Sequence, residues 1–397
     1  MKQHIKRNEN LLIYCFLFLA ARLVLFLSLP LSGLRSYGDY WNYFHIAGLG
    51  TPFIDLWVEF PPIFPFLSRF LYLLVGGSQH SYEYLLAVLF SFVQAGNLYL
   101  FQAIARKQYS IEETKKRTLI YLFIIINLFY GWAYFDSLVV FTLLLGVYWI
   151  LDKKDIKAGL ALGIGGLIKW FPILALAAAW KWRGRKSALR TISTTFVLLV
   201  LAWGILFIWS PEFTQASFVS QGIKGSWETV WAIMDGNFGT GNFAPEIDRL
   251  DPSSAYLSTG HEAKLSPWIS LMAFACVGFG VFLRSKLDDE IKMISFAGFT
   301  IVMFILWSPG YSPQWVLLLL PFVLLSFDIW RGTLLSFILV LINILEWPIF
   351  LSRGWFHLLE EIIVIRTLFI LGLAGLFVYS IFNKKIEEEG ENLESAS

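Results

Sequence analysis

Residues 11–31 read LLIYCFLFLAARLVLFLSLPL, and this stretch decides the fold class. It holds a single charged residue, Arg22, and its length of about 20 residues is what an α-helix needs to cross a bilayer. Basic residues precede it, as they do in a secretory signal peptide. The apolar part of a signal peptide is shorter and is followed by a small-residue cleavage site, so the stretch predicts a retained membrane-spanning helix.

The whole chain has the composition of a polytopic membrane protein. Of its 397 residues, 57% are hydrophobic and 15% are charged, and the mean hydropathy is +0.64. An average soluble domain is far more polar. The net charge of +2 comes with no visible nucleic-acid-binding patch, so we expect no nucleic-acid partner. Cys15 and Cys276 lie within apolar runs, which favours small buried hydrophobes over a disulfide or a metal site.

Apolar segments of spanning length recur along the chain. They lie at 11–31, 82–105, 118–135, 137–151, 191–209, 267–283, 291–307, 313–327, 333–350 and 361–382. Two further segments are ambiguous. Residues 61–77 begin with two prolines and contain Arg69, and residues 158–182 are interrupted by Lys169-Trp170-Phe171-Pro172.

The basic residues decide the orientation of these segments. They are concentrated in loops 106–117, 153–157 and 181–190, which the positive-inside rule assigns to the cytoplasm. With a cytoplasmic N-terminus, this requires that 61–77 lies at the outer interface without crossing and that 158–182 crosses twice as two short helices. We therefore predict an all-α polytopic membrane protein of the cell membrane with about 12 crossings and both termini inside.

The predicted domain organisation is one transmembrane domain over residues 1–382. Its first external loop, 32–81, is expected to carry interfacial helices, including one over 40–49, and a long external loop covers 210–266. The acidic residues 383–397 predict a disordered cytoplasmic tail. The polar, Trp-rich and Pro-rich parts of the chain then gather on the external face.

Carboxylates in these external parts are the first candidates for chemistry. Asp39 opens the run 40–49, so it can cap a helix, act as a general base or do both, since a carboxylate among apolar rings has a pKa that can move toward neutrality. Asp55 and Glu59 are alternatives that can instead bind loop backbone. Asp136 follows one apolar segment and begins the next, where it caps a helix or faces a polar cavity.

Two cations interrupt apolar segments and require an explanation. Lys169 either snorkels to the interface or presents its charge to an anion, and Arg22 needs a partner within its helix bundle. A phosphate would satisfy either residue, and so would Asp39 or Asp136. Residues 307–315 place hydroxyls, an amide and rings between two apolar segments, although their prolines alone predict a tight turn. No His, Cys and Asp cluster has metal-ligand spacing, and no P-loop is present.

Four stretches, taken in order, carry a family resemblance. They are Gly38-Asp39-Tyr40 with Glu59-Phe60-Pro61-Pro62, then Phe135-Asp136-Ser137, then residues 158–172, then Ser312-Pro313-Gln314-Trp315. Together they resemble the GT-C superfamily of polytopic glycosyltransferases, and within it glycosyltransferase family 87 and related mannosyltransferase-like proteins. Residues 226–232 also fit, and the resemblance spans most of residues 10–325.

The resemblance implies an inverting glycosyltransferase whose donor is a polyprenyl-phosphate-linked hexose, with mannose as the family-level expectation. The acceptor would be a lipid-linked or envelope glycan on the outer face of the membrane, and membrane lipids would surround the protein. Asp39 would be the catalytic base, and Lys169 or Arg22 would bind the donor phosphate. The expected substrate-binding side chains are Tyr37, Tyr40, Tyr311, Ser312 and Gln314.

The chain departs from the family pattern at its first loop. Many relatives have two adjacent acidic residues there, whereas Tyr40 follows Asp39 in this chain. The role of a second carboxylate therefore falls to Glu59, Asp55, Asp136 or no residue. No cofactor is expected, and a requirement for a divalent metal stays open.

Two other functional classes fit the same composition. A transporter or glycolipid flippase also needs many spans, broken helices and embedded charges, but its site lies near the midplane and is served from both sides. A scaffold for envelope assembly would use the external aromatic residues as a partner surface. Placement of Asp39, Asp136 and Lys169 on different sides of the bilayer would favour the transporter.

Overall fold

The computed structural model describes residues 2–30, 34, 38–243, 247–257 and 259–383. In that part of the chain the regular structure is helical, with isolated β-bridges and no strand. Seven helices there are long and apolar enough to cross a membrane, and three shorter apolar helices accompany them. The chain is an all-α membrane protein, as predicted, while the tail predicted to be disordered lies, apart from its first residue, outside the described residues.

The α-helices of the described residues are numbered here in chain order. They are α1 Lys2–Ser28, α2 Tyr40–Leu49, α3 Ile63–Leu74, α4 Gln79–Ala105, α5 Ile111–Asn127, α6 Tyr130–Ala133, α7 Asp136–Leu151, α8 Asp155–Gly166, α9 Ala175–Arg183, α10 Arg185–Trp209, α11 Pro211–Ile223, α12 Val230–Asp235, α13 Pro267–Arg284, α14 Glu290–Trp307, α15 Val316–Ser326, α16 Ile329–Ile344 and α17 Phe356–Phe382. Short 3-10 or π turns occupy Phe171–Leu174, Pro252–Tyr256, Pro313–Trp315, Leu345–Phe350 and Leu351–Arg353.

The ambiguous segment 158–182 is broken where the sequence predicts a break. Helix α8 ends at Gly166, and the 3-10 turn Phe171–Leu174 separates it from α9. Pro172, near the start of that turn, has no backbone N–H and cannot continue a helical ladder. The break leaves Lys169 between two short helices, at a place where its side chain can turn inward.

The core is built around α15. Every residue of this helix is buried, and α5, α7, α14 and α16 pack against it. Its sequence, VLLLLPFVLLS, is apolar all round, which is typical of a helix with protein on every side. In contrast, Ser270 is the only residue of α13 that the structure buries, so α13 presents its apolar surface to lipid.

The loops gather at two ends of the helix bundle. At one end, which we call the basic end, loops 106–110, 152–154, 284–289 and 327–328 meet. Lys107 forms a salt bridge with Asp152, and the Tyr109 hydroxyl donates to the Leu325 carbonyl at 2.7 Å. Arg117 Nη1 donates to the Phe327 carbonyl at 2.8 Å. The opposite end, which we call the cavity end, holds the loops described next.

Candidate active site

Loops at the cavity end enclose a cavity of about 420 Å³. Its lining comes from parts of the chain that are far apart in sequence, within 38–61, 134–136, 169–171, 221–242, 304–315 and 347–351. Carboxylates, lysines and aromatic rings share this lining. The cavity is therefore the place where the polar groups of the loops at this end converge.

Asp39 is positioned by close contact between its loop and the segment before α7. A Cβ on Gly38 would lie 2.5 Å from the Ala133 carbonyl oxygen, so only glycine permits this approach. The Tyr40 hydroxyl donates a hydrogen bond to the Trp132 carbonyl and fixes the next residue. Asp39 precedes α2, but its side chain makes no capping hydrogen bond, which removes the interpretation as a helix cap. Its carboxylate lines the cavity instead.

The environment of Asp39 suits a base. Burial raises the pKa of Asp39 to about 6, and the neighbouring charges of Asp136 and Glu59 act in the same direction. A hydrogen bond from the Asn242 side chain and the charge of Lys169 oppose the shift. A carboxylate with this pKa is mostly ionised at neutral pH and holds a proton more firmly than an exposed aspartate does.

Asp136 and Lys169 form a buried salt bridge. Lys169 Nζ lies 2.7 Å from Asp136 Oδ1, and the side chain of Asp136 is 1% exposed. The ammonium group also faces the rings of Phe135, Phe171 and Trp315 at 5.1–5.8 Å. The pair explains why both charges are tolerated in apolar surroundings, and it is the interpretation of Asp136 that the structure supports in place of a helix cap.

Glu59 is held by an arginine from the long loop. Arg249 Nη1 and Nη2 donate to its two carboxylate oxygens at 2.5 and 3.0 Å, a bidentate arrangement. The guanidinium group stacks over the Trp57 ring at 4.7 Å. Burial by itself would raise the pKa of Glu59, but the charge and hydrogen bonds of Arg249 outweigh it and hold the pKa below its usual value. Glu59 is therefore an ionised structural partner that links the first loop to the long loop.

Lys224 is a cavity cation without a carboxylate partner among the described residues. Its ammonium group lies 4.9 Å from the Trp227 ring centroid and 4.8 Å from that of Phe243. Burial lowers the pKa of Lys224 to about 8, although the charge of Glu59 raises it. The charge of a desolvated lysine without an ion pair has no counterion, and a bound anion would supply one.

Glu228 also lines the cavity, in a strained backbone conformation. Its φ is 49°, in the left-handed region that costs a non-glycine residue about 1–3 kcal/mol. Backbone bonds hold it there: Trp227 N donates to the Pro309 carbonyl at 3.2 Å, and Tyr311 N donates to the Trp227 carbonyl at 3.1 Å. The loop 224–229 is thus pinned to the segment before α15.

An apolar groove adjoins the cavity along α13 and α14. It has a volume of about 800 Å³ and an almost wholly apolar lining that includes Met272, Phe279 and Phe299. Phe304 and Trp307 line both the groove and the cavity. The polar cavity and the apolar groove are therefore neighbours that share two aromatic side chains.

Several predicted site residues do line the cavity. They are Asp39, Glu59, Asp136, Lys169, Ser312 and Gln314. Sequence reasoning did not assign Lys224, Glu228 or Arg249 to the site. The signal available for Lys224 and Arg249 was that they are two of the few basic residues in loops predicted to be external, which alone does not indicate their partners.

Three other predictions need correction, and Asp55 has the loop-backbone role that its sequence position left open. The Arg22 guanidinium donates to the Ile125 and Leu128 carbonyls, so it stabilises helix packing and does not reach the cavity. The Tyr40 hydroxyl is bound to the Trp132 carbonyl, and the Tyr311 hydroxyl donates to Asn343 Oδ1 at 2.6 Å. Neither tyrosine lines the cavity. Asp55 accepts a bond from the Thr51 backbone N–H at 2.7 Å within its own turn. Tyr37 lies outside the described residues.

No group of three or more His, Cys, Asp or Glu side chains in the described part of the chain is arranged to hold a metal ion. The site is therefore characterised by its carboxylates, its lysines and its apolar groove. Comparisons with protein-family models, with curated proteins and with solved structures find no match to this chain.

Proposed function

We propose that the chain is an integral membrane glycosyltransferase that moves a hexose from a polyprenyl-phosphate carrier to a hydroxyl group of a lipid-linked or envelope-glycan acceptor. The observation that carries the proposal is the junction of a polar cavity with an apolar groove at Phe304 and Trp307. A lipid phosphosugar has matching parts, namely hydroxyl groups, an anionic phosphate and a long apolar chain. Mannose as the sugar rests on the family resemblance.

The proposed reaction inverts the configuration at the anomeric carbon. The acceptor hydroxyl oxygen forms a bond to that carbon, the bond from the carbon to the phosphate oxygen breaks, and the lipid phosphate leaves with the electron pair. Asp39 accepts the hydroxyl proton. Its pKa of about 6 supports this role, because the group is ionised at neutral pH and still basic enough to take a proton in the transition state.

The leaving phosphate gains negative charge as the bond breaks, so a cation fixed beside it lowers the barrier. Lys224 is our first choice for this cation because it lines the cavity without a carboxylate partner in the described structure. Lys169, the choice from sequence, lines the cavity too, but Asp136 already shares its charge. Lys169 is therefore the second candidate.

We also propose that the cavity end faces outward and that the chain crosses the membrane about 12 times, following the positive-inside rule. The basic loops that meet at the opposite end support this orientation. Single cysteines at exposed Ser253 and exposed Lys157, in a chain whose Cys15 and Cys276 are replaced by alanine, test it with an impermeant thiol reagent. Labelling of intact cells is expected at position 253 only, and labelling at position 157 only would contradict the orientation.

The rival class is a transporter or glycolipid flippase. Alternating access needs a site near the midplane that opens to both sides. The lining of one cavity by Asp39, Asp136 and Lys169, at the end of the bundle remote from the basic loops, favours an enzyme with a one-sided site.

The direct test is incubation of the purified protein with defined polyprenyl-phosphate-hexoses and a crude pool of envelope acceptors, followed by mass spectrometry. We expect an acceptor that gains one hexose and a released polyprenyl phosphate. The same protein in liposomes serves as the transport control. Movement of the lipid-linked sugar between leaflets without any change in its covalent structure would contradict the proposal and support a flippase.

A further inference from the structure

The carboxyl groups of the cavity differ in what they contact. Glu59 and Asp136 form salt bridges, and Asp39 accepts a hydrogen bond from an amide side chain. Glu228 is 5% exposed, and its Oε2 is buried without a hydrogen-bond partner among the described residues. Burying an unpaired ionised carboxylate is very unfavourable, whereas a neutral carboxylic acid tolerates the same place.

The charges around Glu228 do not supply a counterion. Asp39 faces it from the first loop, Glu346 from the turn after α16 and Arg366 from α17. Arg366 donates to the Glu346 carboxylate and to the backbone carbonyl of Glu228, so its positive charge is already matched by Glu346. The titratable phenols around it belong to Tyr130, Tyr134 and Tyr311. Glu228, Glu346 and Arg366 together therefore hold one negative charge too many unless one of the two glutamates keeps its proton, and the charge of Asp39 adds to this excess.

Two further observations indicate which carboxyl group that is. Glu346 Oε2 is likewise buried without a hydrogen-bond partner among the described residues, but Glu346 Oε1 accepts a hydrogen bond from Arg366, which stabilises the ionised form of Glu346. Within the described part of the chain no arginine or lysine donates to the side chain of Glu228, and burial, followed by the charge of Glu346, raises the pKa of Glu228 well above its usual range. The left-handed backbone at Glu228, fixed by the bonds of the neighbouring Trp227, holds this side chain at the cavity wall.

We propose that Glu228 is held as a neutral carboxylic acid and donates a hydrogen bond to an oxygen of the phosphosugar head group in the cavity. The identity of that ligand rests on the proposed function. The protonation of Glu228 does not, because it follows from the apo structure. Glu228 then supplies the second carboxyl group of the site, as a hydrogen-bond donor beside the base Asp39.

Binding of the lipid phosphosugar shows whether Glu228 acts as a hydrogen-bond donor or as an ionised carboxylate. The probe is a short-chain polyprenyl-phosphate-mannose, titrated calorimetrically into the purified full-length protein. Glu228→Gln keeps an N–H donor of similar size, so we expect affinity close to wild type, whereas Glu228→Ala should bind about tenfold more weakly. Exposed Glu212→Gln is the matched control. Equal loss of affinity in Glu228→Gln and Glu228→Ala would show that the charge is needed and would overturn the proposal.

Infrared spectroscopy tests the protonation without any ligand. The carbonyl stretch of a neutral carboxylic acid should be present in the wild-type protein at neutral pH, persist in Glu59→Gln and Glu212→Gln, and disappear in Glu228→Gln. If the band instead persists in Glu228→Gln and is lost in Glu346→Gln, the proton lies on the other carboxyl group and the inference fails. If the infrared result is as expected but no sugar is transferred, the proposed function is contradicted and the protonation of Glu228 is not.

Discussion

The two ends of this molecule use charged residues in opposite ways. At the basic end most ion pairs join neighbours in sequence near the surface, such as Lys116 with Glu112 at 2.9 Å, with side chains 60% and 78% exposed. At the cavity end the pairs are buried and join distant parts of the chain, such as Arg249 with Glu59, whose side chains are 8% and 1% exposed. Charges at the first end stay largely hydrated, while charges at the second end are desolvated and each of them needs a partner.

This difference indicates at which end a substitution of a charged residue will lower the stability of the protein. An exposed pair is surrounded by water that replaces a lost partner. A buried pair has no such replacement, so removal of one member leaves an uncompensated charge. Asp39, Lys224 and Glu228 line the cavity without a salt bridge to any described residue, so a bound ligand can supply the partner that each of them lacks.

The largest expected effect on stability is that of Lys169→Met. This change leaves Asp136 ionised and buried, and the free energy of unfolding should fall by about 3–5 kcal/mol. The double variant Asp136→Leu/Lys169→Met should recover most of the loss because no charge stays buried. Equilibrium unfolding in mixed micelles measures both. A single variant as stable as wild type would show that the pair is solvated.

The next effect concerns binding of an anion. Lys224→Met removes the unpaired cation of the cavity, and the affinity for a polyprenyl-phosphate-hexose should fall about 10-fold to 100-fold. Lys264→Met, at an exposed residue of the same long loop, is the matched control. Calorimetric titration of both variants provides the comparison. Unchanged affinity in Lys224→Met would transfer the phosphate role to Lys169.

The pH dependence of sugar transfer tests the roles of Asp39 and Lys224 at the cavity end. With Asp39 active as the ionised base and a pKa of about 6, kcat/KM should fall as the pH drops below that value. With Lys224 active as a cation and a pKa of about 8, kcat/KM should fall again above it. Lys224→Arg should move the upper limb to higher pH, since a guanidinium group stays protonated. An upper limb that does not move would remove Lys224 from this account.

The smallest effect is expected at the basic end. Lys116→Ala removes an exposed pair within α5, and neither the unfolding free energy nor sugar transfer should change measurably. Unfolding of this variant beside Lys169→Met, under the same conditions, compares the two ends directly. A loss of stability similar to that of Lys169→Met would contradict the distinction between them.

Much of the fold could be predicted from the sequence because hydropathy and length are local properties. The spans and the break near Pro172 follow from them. The wall of the cavity could not be predicted in the same way, because it is made by contacts between residues that are far apart in the sequence. Arg249 meets Glu59 across 190 positions of sequence, a contact that no local pattern encodes. The incorrect prediction for Arg22 has a related cause, since its partners are backbone carbonyls, which every residue carries.

The substitution Asp39→Asn tests the central claim with little risk to the fold. Because the pKa of Asp39 in the folded protein is raised above its value of 3.8, ionisation disfavours the folded state. Stability from this group is present below the unfolded pKa and is lost as the pH rises through about 6. The neutral asparagine avoids that cost, so the variant should be at least as stable as wild type at neutral pH.

The most direct measurement is the yield of hexosylated acceptor from purified wild-type protein and Asp39→Asn, incubated in parallel with a polyprenyl-phosphate-hexose. Wild type should transfer the sugar, and the variant should lose about 10²-fold to 10⁴-fold in rate while still binding the donor. Transfer by Asp39→Asn at the wild-type rate would contradict the account of the cavity end as an active site with Asp39 as its base.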